Sequence, residues 1–391
     1  MRAKAALVVL LLALTGCQGG GARTKALVVV SAPLSAQPWI GEFLQRGAQL
    51  AGRSTGITVQ VRDNGGSAQR AVAIARQAVS DGAVALITDG VGARAVAQVT
   101  DPAHLAVFIA FERGSSLIDP VRAPTLFRMA PANTFLCRRL ADYLADVRPD
   151  KRVAIIADDS DYGREGGAQV RQDLQHDDLR VVDDATVPEQ ARDLSVQVLA
   201  ARRSGATTLV VWARAAGVAA VLRSARGTGW QVPVYAGPTG EDPLVRQQLA
   251  DHPDWVDGLT FASFRITSET GPAPFAAYRK AYEKAYGPER IGVRVGGKDV
   301  VMPPDWSTYP YDSVELVAAA LQQAGKADAA DVFRALQQVS ITGANGDERG
   351  FGPGDREGVS PDDIYFARFS QMRFAPVKDD KLSTNLPAVP Q

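Results

Sequence analysis

Short apolar runs alternate with amphipathic stretches along most of the chain. The first four runs are ALVVVSA at 26–32, ITVQVRD at 57–63, AVALIT at 83–88 and AVFIAF at 106–111. Between them, apolar residues recur at i, i+3 and i+4, as in the stretch that stops at Gly82, which predicts amphipathic helices. The order strand, helix, strand, helix predicts a mostly parallel sheet with helices on both faces.

The same rhythm starts again after residue 130, from a helical pattern over 133–147 and the apolar run KRVAIIAD onward. Two successive α/β runs of similar size predict two lobes, each with its own sheet. The late helices APFAAYRKAYEKAYG and YDSVELVAAALQQAG follow once the second sheet is complete, and we expect them to return to the first lobe. The predicted fold class is therefore α/β with two Rossmann-like lobes.

Ligands of a doubly wound sheet bind beyond the carboxyl ends of its strands. Polar groups and aromatic rings follow several predicted strands without an obvious reaction centre, which predicts a binding cleft rather than a catalytic site. The segments that follow strands are 32–39, 63–67, 88–94, 110–115, 158–163, 212–217 and 236–242.

Composition narrows the choice of function. The chain has 391 residues, of which 46% are hydrophobic, so each of two lobes can bury a core. Basic and acidic residues balance at 43 each, and no Lys/Arg-rich run is present. We therefore expect no nucleic-acid partner.

The N-terminus is typical of an export signal. Arg2 and Lys4 precede the apolar run AALVVLLLALTGC, which ends at Cys17 and is too short for a permanent membrane span. The LTGC ending resembles a bacterial lipobox. Residues 1–17 are then a lipoprotein signal peptide, Cys17 carries the lipid that anchors the protein to the membrane, and 18–24 form a flexible tether. An ordinary secretory peptide is the alternative.

Cys137 is then the only thiol of the mature chain, so no intramolecular disulfide can form. It lies in NTFLCRRLADYL, whose leucines recur at helical spacing. A buried structural thiol is favoured over a nucleophile.

Two stretches resemble metal-binding and nucleotide-binding motifs but lack residues that those motifs require. In DDSDYGREGG, residues 158–167, a calcium loop from Asp159 would need oxygen ligands where Gly163 and Val170 stand. In GVRVGGKD, Asp299 replaces the Ser/Thr that holds magnesium in a phosphate-binding loop. We expect no metal and no cofactor.

Catalytic candidates are also weak. His104, His176 and His252 lie in polar or loop contexts, and no G-x-S-x-G elbow is present. We therefore expect the protein not to be an enzyme, and an extracytoplasmic hydrolase is the least favoured function.

The stretches RDNGGSAQRAVAIARQAVSDGAVALITD, RVAIIADDSDYGREG, GPTGED and YDSVELVAAALQQAG, in this order, resemble the type I periplasmic binding proteins. The nearest in pattern are the substrate-binding lipoproteins of branched-chain amino acid ABC transporters. The resemblance covers about 25–375. It implies two lobes joined by three crossing segments, with a small ligand trapped between the lobes when the hinge closes.

Carried onto this chain, the resemblance implies the following boundaries. Lobe 1 comprises residues 24–130 plus 259–339, and lobe 2 comprises residues 131–258 plus 340–391. The crossings lie near 128–133, 255–262 and 338–346.

The resemblance also implies the ligand site. The ligand's carboxylate is held by backbone amides and side chains of two loops, and Tyr162 supplies an aromatic wall. Trp306 supplies an apolar contact. The residues of the two loops are Gly90, Val91 and Gly92 in the first and Ala110, Phe111 and Glu112 in the second.

Two positions depart from the family pattern. Arg214 stands where the family has a second aromatic residue, and Thr239 stands where an acid receives the ligand's ammonium group. Glu112 and Glu241 are candidate substitutes for that acid. An inward-facing Arg214 would favour a second carboxylate, whereas an outward-facing one would be a solvated helix start; Arg94 and Arg113 are ambiguous in the same way.

The sequence thus predicts an extracytoplasmic, lipid-anchored solute-binding protein, monomeric, that captures an amino acid or small carboxylate and presents it to ABC permease subunits. The alternative is a ligand-sensing receptor of the same fold that signals to a partner protein.

Overall fold

A computed structural model describes residues 26–147, 152–263, 271–375, 377, 379 and 380. The predicted signal peptide, Cys17 and the tether at 18–24 lie outside the described residues. Strands and helices are numbered along the chain. The strands are β1 (Leu27–Ala32), β2 (Thr58–Asp63), β3 (Ala85–Thr88), β4 (Ala106–Ile109), β5 (Leu126–Arg128), β6 (Arg152–Asp158), β7 (Arg180–Val187), β8 (Thr208–Trp212), β9 (Val234–Ala236), β10 (Leu259–Ser263), β11 (Glu289–Val295), β12 (Lys298–Met302), β13 (Ser340–Thr342), β14 (Glu348–Gly350), β15 (Tyr365–Ser370) and β16 (Arg373–Ala375).

The α-helices are α1 (Pro38–Thr55), α2 (Ala68–Ser80), α3 (Ala93–Thr100), α4 (Asn133–Val147), α5 (Asp161–His176), α6 (Ser195–Arg203), α7 (Ala215–Gly227), α8 (Pro243–Gln248), α9 (Ala273–Tyr286), α10 (Thr308–Ala324) and α11 (Ala329–Ala335). Single turns of 3₁₀ helix lie at Pro238–Glu241, Pro253–Val256, Asp305–Ser307 and Pro361–Asp363.

The first lobe is built on a five-stranded sheet in the order β2-β1-β3-β4-β5, and all its strands are parallel. Strands β3 and β4 are buried along their whole length, as expected of parallel strands covered on both faces. Helix α10 packs closely against α1, because Gly47 has no side chain: a Cβ there would lie 2.1 Å from the backbone oxygen of Ser307. The late helix α10 thus returns to the first lobe, as predicted.

The second lobe contains a seven-stranded sheet in the order β16-β15-β10-β9-β8-β6-β7. Its strands are parallel except where β15 pairs with β10 and β16 pairs with β15. Trp212, at the end of β8, is fully buried in the core of this lobe. Cys137 is buried beside it in α4, so the prediction of a structural thiol is confirmed. Two sheets in two lobes confirm the predicted α/β fold class.

Strand β10 belongs to the second lobe, contrary to the boundary that the resemblance implied. Strand β10 pairs with β9, so residues 259–263 belong to the second sheet rather than to the first lobe. The second lobe therefore includes residues 259–263, and the boundary placed at residue 259 is too early. The third crossing also runs later, because β13 and β14 form a separate hairpin before β15 joins the second sheet.

Arg128 fastens the first crossing to the segment that leads into the third. Its Nε and Nη2 donate to the two carboxylate oxygens of Glu357 at 2.8 and 2.5 Å, and its Nη1 donates to the backbone oxygen of Gly114 at 2.7 Å. The backbone of Gly358 donates to the Arg128 oxygen at 2.7 Å. A bidentate pair of this kind fixes orientation as well as distance, so it holds the two segments together.

The GVRVGGKD stretch is a β-hairpin. Strands β11 and β12 pair antiparallel, and Gly296 and Gly297 form the turn with φ of 56° and 79°. Two consecutive positive φ values are what a tight hairpin turn needs, which accounts for the glycine pair without a nucleotide. Gln247 of α8 donates to the Ile291 oxygen at 2.8 Å, so the hairpin contacts the second lobe.

Candidate functional site

A cavity of about 540 Å³ lies between the two lobes. The first lobe lines it with Gln37, Trp39, Ile40, Phe111, Glu112, Arg113 and Trp306. The second lobe lines it with Asn133, Asp161, Tyr162, Glu165, Glu189, Gln190, Arg192, Arg214, Ala215, Ala216, Pro238, Thr239, Asp242 and Leu244. Its size and mixed lining suit a small molecule.

The first-lobe wall is aromatic. The Trp39 and Trp306 rings lie 4.9 Å apart between centroids, and the Phe111 ring lies 5.5 Å from that of Trp306. Trp306 is itself mostly buried, while Trp39 and Phe111 are half-buried. These rings form a flat apolar surface against which the body of a ligand can pack.

The acid-rich segment DDSDYGREGG shapes the opposite wall. Strand β6 ends at Asp158, whose Oδ1 accepts from the Ser160 N–H at 3.2 Å and whose Oδ2 accepts from the Arg214 N–H at 2.5 Å. The Ser160 side chain caps α5 by accepting from the Gly163 N–H at 3.1 Å. Asp158 therefore joins the ends of two strands, and the segment has a structural role that places Tyr162 in the first turn of α5.

Tyr162 lies between Trp212 and the cavity. Its ring stacks on that of Trp212 at 5.8 Å, and its hydroxyl oxygen lies 3.5 Å from Oγ1 of Thr239. The packing requires Gly166, because a Cβ there would lie 1.8 Å from Nε1 of Trp212. Burial raises the pKa of Tyr162 to about 12, so the hydroxyl stays protonated at neutral pH and can donate a hydrogen bond.

Arg214 borders the cavity. Its guanidinium carbon lies 5.7 Å from the centroid of the Tyr162 ring, and its Nε lies 3.6 Å from Oε1 of Glu189. The side chain is more than half exposed, so both contacts leave it open to solvent. Thr239 is held by donating to the Ala213 oxygen at 2.7 Å. Arg94, by contrast, donates to Ser116 and does not line the cavity.

The backbone amides of the 110–115 loop are already hydrogen-bonded, contrary to the implied carboxylate site. Oε1 of Glu112 accepts from the N–H groups of Arg113 and Gly114, both at 3.0 Å. Oε1 of Glu165, from the second lobe, accepts from the Ser115 N–H at 2.6 Å. Two protein carboxylates therefore take the place that the resemblance gave to the ligand.

The first loop lies behind Glu112 rather than on the cavity. Gly90, Val91, Gly92 and Ala110 are not among the lining residues. Gly90 has φ of 113°, and a Cβ there would lie 2.3 Å from that of Glu112, so the glycine allows the two loops to pack together.

Glu241 does not replace the missing ammonium acceptor. It is 1% exposed, does not line the cavity, and lies beside the carboxyl group of Asp305, which is fully buried. Burial raises the pKa of Asp305 well above its usual value, and the neighbouring Glu241 raises it further. Because Glu241 is buried away from the cavity, it is corrected from a ligand residue to a structural one.

Among the predicted site residues, the cavity thus brings together Phe111, Glu112, Tyr162, Arg214, Thr239 and Trp306. Sequence reasoning missed Trp39, Asn133, Glu165 and Asp242, and left Arg113 ambiguous. Trp39 lies in the 32–39 segment that follows β1, so the strand-end rule could have found it. Nothing in the sequence marks Asn133, because it follows a hinge crossing rather than a strand end.

No described helix combines the length and apolar character needed to span a bilayer. The described residues contain no group of three or more His, Cys, Asp or Glu side chains arranged to hold a metal ion.

Two α/β lobes with a ligand-sized cleft between them form the architecture of a two-lobed small-molecule binding protein. The chain belongs to the periplasmic binding protein family, whose model matches residues 31–375. A comparison with functionally curated proteins finds no match.

Solved structures share the fold. A type 1 periplasmic binding protein of Bordetella pertussis superposes with a TM-score of 0.75 at 18% identity, covering 91% of this chain and 100% of that one. LivJ, the branched-chain amino acid transporter substrate binding protein of Streptococcus pneumoniae, solved with isoleucine, has a TM-score of 0.74 at 18% identity over 90% and 99%. A solute binding protein of an ABC transporter from Rhodopseudomonas palustris BisB5, solved with 3,4-dihydroxybenzoic acid, has a TM-score of 0.72 at 17% identity over 90% and 95%.

Proposed function

We propose that this protein is an extracytoplasmic solute-binding protein that captures an amino acid or small carboxylic acid between its lobes and delivers it to an ABC permease. The observation that carries the proposal is the cavity itself: aromatic rings of the first lobe face Tyr162 of the second, and polar side chains converge from both. Such a site recognises a ligand and contains no evident nucleophile and base pair.

Structures with the same fold support the ligand class. One was solved with isoleucine and another with 3,4-dihydroxybenzoic acid, and both ligands carry a carboxylate beside a hydrocarbon chain or ring. The cleft of this chain offers the same two kinds of surface, in the wall around Trp306 and in its arginines.

A thermal-shift screen tests the proposal. A ligand that binds only the folded state raises the melting temperature by mass action. We expect one class from a library of amino acids and organic acids to raise it, and Tyr162→Ala to abolish that rise, while Arg122→Met, remote from the cleft, preserves it. A flat response across the library, together with hydrolysis of ester or amide probes, would contradict the proposal.

The lipid anchor at Cys17 and the monomeric state are part of the same proposal. Several acyl chains on one cysteine would hold the protein at the membrane outside the cytoplasm. Expression in a bacterial host followed by fractionation should find the protein in the membrane and Cys17→Ser in the soluble fraction. Light scattering on the Cys17→Ser chain should give the mass of one chain.

A further inference from the structure

Arg113 is a buried cation at the cleft that lacks a counter-ion. It is 8% exposed, and its Nη1 has no hydrogen-bond partner among the described residues. It forms no ion pair with any carboxylate in the described part of the chain. A guanidinium stays charged at any pH that a protein tolerates, so an unpaired one in the interior is unfavourable until an anion arrives.

The neighbours of Arg113 orient it without neutralising it. The hydroxyl of Tyr309, on α10, hydrogen-bonds the guanidinium. The backbone oxygen of Arg113 accepts from the N–H of Asn133, the first residue of α4, at 2.9 Å. The Tyr309 hydroxyl orients the guanidinium and the backbone bond holds the main chain at residue 113, and neither partner carries a negative charge.

Asn133 adds an unused acceptor to the same cavity. It is 1% exposed, lines the cavity with Arg113, and its Oδ1 has no hydrogen-bond partner among the described residues. Buried polar atoms are nearly always hydrogen-bonded in folded proteins. An unpaired donor and an unpaired acceptor on one ligand-sized cavity therefore indicate a ligand that satisfies both.

The other groups of the cleft compete poorly for an anion. The loop amides already donate to the carboxylates of Glu112 and Glu165, whose charge repels a second carboxylate. Arg214 lies beside Glu189, and Arg192 is exposed and donates to Gln190 at 3.4 Å. Three of the described arginines line the cavity. Arg214 has a carboxylate partner and Arg192 has an amide oxygen as partner, whereas the buried Arg113 has neither within the described ranges.

We propose that Arg113 binds the carboxylate of the ligand and that Asn133 accepts a hydrogen bond from a hydroxyl or amino group of the same molecule. The ligand is then a carboxylic acid that carries such a donor, with its apolar body against Trp306. This inference rests on the proposed function and deepens it, because it assigns the anion site to side chains in place of the loop amides.

Calorimetric titration of the protein with carboxylic acids and with their amides tests the assignment. The probes are L-leucine, L-phenylalanine and 3,4-dihydroxybenzoate, each compared with its primary amide. We expect the wild-type protein to prefer the acid of at least one pair by roughly 10- to 100-fold, the range of a charge-assisted hydrogen bond. Arg113→Met should lose that preference, Arg113→Lys should retain part of it, and Asn133→Ala should weaken binding of the acid and its amide alike.

Arg122→Met is the matched control, since it removes an exposed arginine of the first lobe that does not line the cavity and should keep the preference for the acid. Loss of fold would weaken the acid and the amide together, whereas loss of the anion site removes only the preference. If Arg113→Met or, should that variant not fold, Arg113→Lys keeps the full preference, the inference is overturned and the proposed function stands. If no acid and no amide binds the wild-type protein, both are contradicted.

Discussion

Replacing Arg128 should destabilise the protein far more than replacing an exposed arginine. The Arg128 side chain is 1% exposed and donates three hydrogen bonds, two to the carboxylate of Glu357 and one to the Gly114 oxygen. Glu357 is 20% exposed, so Arg128→Met leaves that carboxylate only partly hydrated. Breaking a buried ion pair from one side costs about 3–5 kcal/mol of folding free energy.

Glu357→Gln probes the same pair from the other side. It keeps the shape of the side chain but leaves the buried guanidinium facing a neutral amide, and we expect a loss of about 2–4 kcal/mol. The double variant Arg128→Met with Glu357→Gln should lose less than the sum of the two single losses, because no unpaired charge remains. A coupling of about 1–3 kcal/mol is expected for residues in direct contact.

Urea unfolding followed by circular dichroism measures these losses, and Arg122→Met is the control. Arg122 pairs with Asp119 at 3.6 Å, but its side chain is 88% exposed, so its replacement should not change the unfolding midpoint measurably. An Arg128→Met midpoint equal to that of the control would refute the reasoning that the pair fastens two crossings together. Additive losses in the double variant would refute direct coupling.

Three further outcomes are expected. Burial raises the pKa of Asp242 from 3.8 to about 6, so the folded state loses stability as pH rises through this interval. Asp242→Asn, which keeps the helix cap, should therefore gain stability relative to the wild type from pH 4 to pH 8 in urea unfolding, and a constant difference would contradict this. Gly166→Ala should cost about 1–3 kcal/mol by forcing a Cβ against Trp212, whereas Gly354→Ala, with open space around it, should cost much less in the same assay. Cys137, whose burial raises its pKa, should not react with a thiol reagent in the native protein and should react fully in urea; rapid native labelling would contradict its burial.

The sequence predicts the lobes well because their strands and helices carry their own periodic patterns. It fails at β10, since a short apolar strand looks the same whichever sheet it joins, and only the pairing with β9 places it in the second lobe. The sequence pattern also does not predict the hairpin of β11 and β12. Its strands pair only with each other, and polar residues fill one face.

The site was harder to predict than the fold, because its character depends on which groups are already paired. Glu112 looks like a ligand residue in the sequence, but a local turn directs its carboxylate to the amides of its own loop. Glu241 looks equally available, and only the folded chain brings it against Asp305. Arg113 is one of many arginines until the structure shows that it is buried at the cleft without a counter-ion.

A crystal structure determined after incubation with the acid that most raises the melting temperature tests the central claim most directly. We expect density for one small molecule between the rings of Trp306 and Tyr162, with a carboxylate at Arg113. Density instead in the depression beside Phe135 and Phe351, near the hinge, with an empty cleft, would contradict it.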